Sequence, residues 1–251
     1  MVESRLTLPA SHEFFQAWPL YQVVMRYNYM RHREVIAVLE NWRDGRAHSP
    51  MSILDLGCGD GLVATTVFGR QPGISYCGVD LSRAALVCAQ EHTRRMNWNT
   101  EWIEADLLSA VRHMHRQYDL VIAGFSLHHL GERDLAEALQ HINRVLREQG
   151  SLVVYDSLRR GDETRDAYVS RFLTAVDTTW EAFEPTQRKA VREHVENCDF
   201  PMDLAQWAAL SAHSSFSGNQ LLYRDEDDFF GLIHFWKTTG GMFDKSTPPR
   251  I

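Results

Sequence analysis

Short apolar runs alternate with longer segments of helical spacing through the middle of the chain. The runs cover residues 52–56, 74–79, 101–104, 119–123 and 152–155. Runs of this length are typical of buried strands, whereas apolar positions that recur every three or four residues are typical of amphipathic helices. Because strand and helix alternate, we predict a parallel sheet that is covered by helices on both faces.

The pattern changes at both ends of this region. Residues 12–44 have helical spacing, and we expect Pro19 to separate two helices there. Residues 158–212 are polar and helical, with aromatic side chains spread through them. Two strand-like stretches follow at 215–224 and 229–237, and the acidic run between them predicts a hairpin turn.

Composition and charge exclude several function classes. The formal net charge of -7 makes a generic phosphate-backbone binder less favoured, so no nucleic-acid partner is expected. No run approaches the roughly 18 apolar residues of a membrane span, and no signal-peptide core follows Met1. We therefore expect a soluble, cytoplasmic protein with no membrane partner. The four cysteines lack metal or redox spacing and are interpreted as small buried apolar residues.

Glycines directly follow the first apolar run, within residues 53–61. Glycine after a buried strand permits a tight turn and a close approach by a ligand. Alone, this turn is a weak signal. Acidic residues at the next two strand ends strengthen it, because Asp80 can accept hydrogen bonds from ribose hydroxyls and Asp106 adds a carboxylate at the same sheet edge.

Residues 51–156 resemble the class I S-adenosylmethionine-dependent methyltransferases. The motifs that carry the resemblance are, in order, 53–61, 78–82, Asp106 with Leu107, 118–130 and 145–152. Gln149 departs from the family pattern, but the change affects only a turn. Residues 1–50 and 157–251 resemble the family only in layout.

The resemblance implies a role for individual residues toward the cofactor S-adenosylmethionine. Gly57 and Gly59 would let the backbone pass the methionine part. Asp55 would hold the ammonium group, directly or through water, and Asp80 would bind the ribose.

The adenine and methyl ends of the cofactor are assigned in the same way. Asp106 would accept a hydrogen bond from the adenine amino group, beside the backbone of Leu107. Leu81 would pack on the adenine, and Phe125 would lie near the transferring methyl group.

The expected fold is α/β and Rossmann-like: a seven-stranded, mostly parallel sheet with an antiparallel last strand, plus a helical cap. Residues 1–50 would form N-terminal helices that are part of a lid, and 51–156 the cofactor-binding core. Residues 157–214 would form the cap and acceptor region, and 215–251 the last strands and a tail.

Two adjacent histidines, His128 and His129, follow the fourth strand. Adjacent side chains in an extended chain point to opposite sides, so we expect no metal site here. A structural role is favoured for the pair. A general-base role for His128 stays open, because histidine titrates near neutrality.

Together these observations predict methyl transfer to a small-molecule acceptor by in-line displacement. Polar and aromatic cap residues are candidates for contact with that acceptor: Arg159, Tyr168, Arg171, Trp180 and His194. The sequence leaves open the identity of the acceptor, the atom that is methylated and the oligomeric state.

Three other functions are weighed against this prediction. A non-catalytic module that has kept the cofactor pocket is one alternative, which turnover would exclude. A nicotinamide-dependent oxidoreductase is less favoured, because its fingerprint requires glycine where this chain has Leu62. A nucleic-acid amino methyltransferase is also disfavoured, since residues 124–127 lack its Asn/Asp-Pro-Pro-aromatic stretch.

Overall fold

The structure, a computed structural model, describes residues 18–45 and 51–238. Its helices and strands alternate through the middle of the chain, as the apolar pattern predicts. In chain order they are α1 (Trp18–Tyr27), α2 (His32–Asp44), β1 (Ser52–Leu56), α3 (Leu62–Phe68), β2 (Ser75–Asp80), α4 (Arg83–Thr93), β3 (Asn99–Glu104), α5 (Leu107–His113), β4 (Tyr118–Gly124), α6 (Glu132–Val145), β5 (Leu146–Ser157), α7 (Arg165–Thr179), α8 (Pro185–Cys198), α9 (Leu204–His213), β6 (Gly218–Arg224) and β7 (Phe230–Trp236).

All seven strands form one sheet in the order β3-β2-β1-β4-β5-β7-β6. Neighbours among β1 to β5 are parallel, whereas β7 is antiparallel to both β5 and β6. The predicted Rossmann-like fold with an antiparallel last strand is therefore confirmed. The strand order reverses between β1 and β4, and open α/β sheets bind ligands at such a switch point.

Each face of the sheet buries its own apolar core. Ile53 of β1 packs in one core, while Leu54 and Leu56 pack in the other. The first core also contains apolar residues of α1, α2, α3, α7 and α8, and the second contains those of α5, α6 and α9. The N-terminal helices and most of the cap therefore cover the same face of the sheet.

The predicted hairpin turn between the last two strands is present. Asp225 accepts hydrogen bonds from the backbone N–H groups of Phe229 (2.8 Å) and Phe230 (2.6 Å). The turn ends with Asp228 at a φ of 58°. These bonds fix the register in which β6 and β7 pair.

The described N-terminal residues form two helices, α1 and α2, which are separated at residues 28–31. Pro19 lies in the first turn of α1, where its missing N–H removes no helical hydrogen bond. The chain turns between α1 and α2, with Asn28 and Arg31 at φ values of 57° and 58°. Residues 12–17 of the predicted helix lie outside the described residues. Whether the helical segment also breaks before Pro19 depends on residues 12–17 and stays a prediction.

The predicted end of the helix before β5 is wrong. The apolar pattern extends the helix before β5 to Glu148, but α6 ends at Val145. Leu146 instead pairs with Tyr118 of β4, so sheet pairing ends the helix earlier. In residues 18–45 and 51–238, we find no helix that combines the length and the apolar character needed to cross a bilayer.

Candidate active site

A cavity of about 300 Å³ lies at the carboxyl ends of the parallel strands. One wall consists of the segments that follow β1, β2, β3 and β4. The other wall is built from α1, α7, α8 and the residues next to them. Residues from the core and from the cap thus meet around one space.

The glycine turn after β1 requires glycine at its first position. A Cβ atom on Gly57 would lie 2.5 Å from Cβ of Ser126, and the φ of Gly57 is +74°. Gly59 has a φ of 54° and donates its N–H to Oδ2 of Asp80 at 2.8 Å. Both glycines line the cavity, so a ligand there can approach the bare backbone.

Asp80 stands at the end of β2 and also lines the cavity. Its Oδ2 accepts the Gly59 N–H, and its Oδ1 accepts the N–H of Ser82 at 2.7 Å. Burial raises the pKa of Asp80, and these N–H groups oppose the rise. A carboxylate offers about four acceptor positions. Asp80 can therefore hold the glycine turn and still accept hydrogen bonds from hydroxyl groups in the cavity.

Asp55 is buried in β1 behind the turn and does not line the cavity. Its Oδ2 accepts the hydroxyl of Tyr76 at 2.8 Å, whereas its Oδ1 accepts no hydrogen bond. Burial raises the pKa of Asp55 to about 7, although the Tyr76 bond opposes this. Because Asp55 does not line the cavity, a contact with a cation there would have to pass through water, and such a contact would also satisfy Oδ1.

The three residues predicted for the adenine end all line the cavity: Leu81, Asp106 and Leu107. Asp106 also caps α5, because its Oδ1 accepts the backbone N–H of Ser109 at 2.8 Å. A capping carboxylate has acceptor positions to spare. The helix cap and the predicted contact with an adenine amino group are therefore compatible.

Phe125 directly follows β4 and lines the cavity. Its φ of 46° is unusual for a bulky residue. Packing holds it there, with its ring centroid 5.5 Å from those of both Tyr155 and Phe230. Strain that is maintained by packing often marks a functional position.

Tyr21 of α1 is a cavity residue that the sequence did not single out. Its hydroxyl lies 2.9 Å from Nε2 of His32. Burial and the charges of Asp60 and Asp80 raise its pKa. In the sequence, Tyr21 has the spacing of an ordinary apolar helix position, and only the packing of α1 brings it to the strand ends.

His128 and His129 belong to a 3-10 turn (Leu127–His129), not to an extended segment. Their ring centroids are therefore only 3.9 Å apart, and the predicted orientation to opposite sides is wrong. His194 and Asp199, from the end of α8 and the residue that follows it, lie beside them. All four residues line the cavity.

A buried carboxylate orients His128. Nδ1 of His128 forms a hydrogen bond with Oδ1 of Asp156. The other carboxylate oxygen, Oδ2 of Asp156, accepts the backbone N–H groups of Leu127 and His128, both at 3.1 Å. Burial lowers the pKa of His128, but the charges of Asp156 and Asp199 outweigh burial and raise the pKa to about 9. These two carboxylates therefore stabilise the protonated form of the imidazole. The base role of His128 stays a prediction.

Of the five residues predicted to contact the acceptor, Trp180 and His194 line the cavity and the other three do not. Trp180 stacks on Tyr29 with a centroid distance of 4.8 Å. Burial lowers the pKa of His194 to about 3, so this side chain is neutral.

The positions of the other three candidates correct the prediction. The hydroxyl of Tyr168 donates to the carbonyl oxygen of Phe229 at 3.0 Å inside the core. Arg171 pairs with Glu163 at 2.8 Å, and Arg159 pairs with Asp203 at 3.1 Å. Because internal partners occupy these groups, we assign them to the structure of the cap.

Sequence comparison finds the same domain. Residues 53–150 match a family described as a methyltransferase domain. An uncharacterized methyltransferase of Mycobacterium tuberculosis is 32% identical over 113 residues, which cover 43% of this chain and 54% of that protein. A carboxy-S-adenosyl-L-methionine synthase of Helicobacter hepaticus is 27% identical over 177 residues, which cover 68% of this chain and 71% of that protein. Matches to other curated relatives cover as little as 25% of their length.

Structure comparison supports the fold. Human N-acetylserotonin methyltransferase, solved in complex with S-adenosylmethionine, superposes with a TM-score of 0.58 at 17% identity. The superposition covers 91% of this chain and 56% of that chain. Residues 53–150 thus match a methyltransferase domain, and the strand order and the glycine turn at the switch point agree with the class I S-adenosylmethionine-dependent methyltransferase fold that the sequence predicts.

Proposed function

We propose that this protein transfers the methyl group of S-adenosylmethionine to a small-molecule acceptor. The observation that carries the proposal is the continuous cavity, which has the glycine turn and strand-end acids on one wall and cap residues on the other. A cofactor on the first wall would direct its methyl group toward the second.

The acidic wall suits the cofactor chemically. S-adenosylmethionine carries a cationic sulfonium, an ammonium group and two ribose hydroxyls. Asp80 and Asp106 line the wall, and Asp55 is buried behind it. Carboxylates accept hydrogen bonds from hydroxyl and ammonium groups and stabilise nearby cations.

The opposite wall suits a small organic acceptor. It contains Trp180, Val191 and His194, together with residues of α1. The space that this wall encloses is about 300 Å³, which favours a small molecule over a macromolecule.

The reaction would be an in-line displacement at the methyl carbon. An electron pair of the acceptor forms the new bond to carbon as the carbon–sulfur bond breaks, and the electron pair of the broken bond stays on sulfur. Since the sulfonium is a good leaving group, the protein contributes mainly position and orientation.

Calorimetry and an acceptor screen test the proposal. We expect S-adenosylhomocysteine to bind the purified protein and NAD not to bind comparably. Incubation with S-adenosylmethionine and hydroxylated, keto and amine compounds should add one methyl group to a member of the panel, as measured by mass spectrometry. Tight NAD binding without S-adenosylhomocysteine binding would refute the assignment of the site. Cofactor binding without turnover would instead favour a non-catalytic binding module.

A further inference from the structure

Three histidines surround one carboxylate oxygen at the cap side of the cavity. Oδ1 of Asp199 lies 3.6 Å from Nε2 of His128, 3.5 Å from Nδ1 of His129 and 3.4 Å from Nε2 of His194. Asp199 is 5% exposed, and among the described residues these long histidine contacts are the ones recorded for this oxygen, with no well-aligned hydrogen bond. Such a state is rare for a buried carboxylate oxygen, and a cation bound at short range would satisfy it.

The spacing of these atoms is that of metal ligands. Two ligand atoms bound at the usual zinc distances to nitrogen or oxygen lie roughly 3.0–3.5 Å apart in octahedral or tetrahedral geometry. The ligand atoms of His128, His129 and Asp199 all lie within 4.8 Å of one another. Small ring movements would bring the two histidine nitrogens to ligating separation.

The surroundings of His128 provide the second feature of a metal site. A histidine that binds a metal usually donates its other ring N–H to a carboxylate, which fixes the tautomer and aims the free nitrogen at the ion. Asp156 accepts from Nδ1 of His128, and two backbone N–H groups hold Asp156 in turn. Nε2 is thereby directed toward Asp199.

We propose that His128, His129 and Asp199 bind a divalent transition-metal ion, through Nε2, Nδ1 and Oδ1 respectively. Two imidazoles and one carboxylate suit zinc or ferrous iron and leave coordination positions open. Nδ1 of His129 also lies 3.4 Å from the carbonyl oxygen of Cys198, a long contact that metal ligation would replace. His194 contacts the same carboxylate oxygen and would orient it or become a fourth ligand.

The three proposed ligands line the cavity, so the open positions would face the space assigned to the acceptor. An oxygen atom of the acceptor would bind there, close to the transferring methyl group. This consequence rests on the proposed function, whereas metal binding itself does not. Metal binding and methyl transfer can therefore fail separately.

Cobalt provides a direct test of the site. Tag-free protein is stripped with a chelator, dialysed and titrated with Co²⁺ and with Zn²⁺. Visible absorption reports the cobalt coordination, and elemental analysis gives the stoichiometry. We expect one ion per chain and a visible spectrum that Zn²⁺ abolishes by competition. Absence of saturable binding would overturn the proposal and leave a buried ion-pair network of Asp156, His128 and Asp199.

Matched variants separate this site from surface binding. Asp199→Asn keeps the side-chain shape and should weaken Co²⁺ binding at least about tenfold, because it removes a charged ligand. His141→Gln is the control, since His141 faces Glu137 at 3.4 Å on α6 and does not line the cavity. It should bind Co²⁺ as the wild type does. Equal affinity in wild type and Asp199→Asn, with circular dichroism showing both folded, would refute the site. A loss in His141→Gln alone would assign the binding to the surface.

Discussion

Replacement of Asp80 by alanine most directly tests whether the cavity wall formed by the glycine turn and the strand-end acids binds the cofactor. The side chain has two functions in the structure: it faces the cavity, and it accepts the N–H groups of Gly59 and Ser82. The first function concerns ligand binding and the second concerns the shape of the glycine turn. The variant should therefore change both affinity and stability, by separate amounts.

The expected loss of affinity follows from hydrogen bonds to a charged acceptor. Each such bond contributes about 1.5–3 kcal/mol. Losing one or both bonds to the ribose should thus raise the Kd for S-adenosylhomocysteine by roughly 10-fold to 100-fold or more. The backbone N–H groups lose their acceptor as well, which should lower the free energy of unfolding by about 1–3 kcal/mol.

Calorimetry at a temperature well below the unfolding transition measures the affinity, and urea denaturation measures the stability. Asp80→Asn keeps one acceptor oxygen and should lose less stability than Asp80→Ala. Glu104→Ala is the charge control, because Glu104 ends the neighbouring strand, pairs with Arg83 and does not line the cavity. A folded Asp80→Ala protein that binds S-adenosylhomocysteine as the wild type does would refute the ribose assignment.

Three further predictions concern residues with different environments. Asp55 has a folded-state pKa of about 7 against an ordinary value of 3.8, so the stability linked to its proton is present at low pH and lost as the pH rises through 7. The unfolding free energy of Asp55→Asn minus that of the wild type should therefore rise by on the order of 4 kcal/mol from about pH 4 to about pH 8. Urea denaturation at both pH values measures this difference, and a difference that does not change with pH would contradict the prediction. Tyr168→Phe should lower the unfolding free energy by about 1 kcal/mol, since it removes the bond to the Phe229 carbonyl, while calorimetry shows an unchanged cofactor Kd. Trp180→Ala should raise the acceptor KM by roughly tenfold at constant cofactor Kd, whereas an unchanged KM would remove Trp180 from the acceptor site.

The sheet and the cavity wall with the glycine turn and the strand-end acids could be predicted, because short stretches of sequence determine both. A glycine turn after a buried strand determines where the backbone is bare, and parallel topology brings strand-end acids to one edge. Gly57, Asp80 and Asp106 accordingly line one cavity, as the sequence predicts. Spacing alone did not show that Asp80 also holds the turn, because that bond joins residues that are 21 positions apart.

The cap was harder to interpret for a physical reason. Arginine and tyrosine in a polar helical segment can face a ligand or satisfy buried carbonyl groups of the protein. Arg171 and Tyr168 do the latter, and their partners in the turn before β7 lie about 60 residues away in the sequence. No periodicity in the segment distinguishes these two uses.

The histidine pair shows a different kind of error. The prediction of opposite orientations assumed an extended chain after β4, whereas the backbone coils into a 3-10 turn that places both rings on one side. Asp156 is the second-last residue of β5 and holds that turn by accepting two backbone N–H groups. Asp199 lies in the cap, directly after α8. The cluster thus depends on three segments that only tertiary structure brings together.

The electrostatics of the cavity bear on the order of events in the proposed reaction. Burial raises the pKa of Asp55, Asp60 and Asp80, so these carboxyl groups favour a cation beside them. S-adenosylmethionine brings a sulfonium charge into this region, and methyl transfer converts it to a neutral thioether. The interaction proposed to hold the substrate cofactor would therefore be weakened by the reaction itself, whereas the proposed ribose contacts of Asp80 would be retained. An acidic wall of this kind favours exchange of the spent cofactor without any change in the shape of the site.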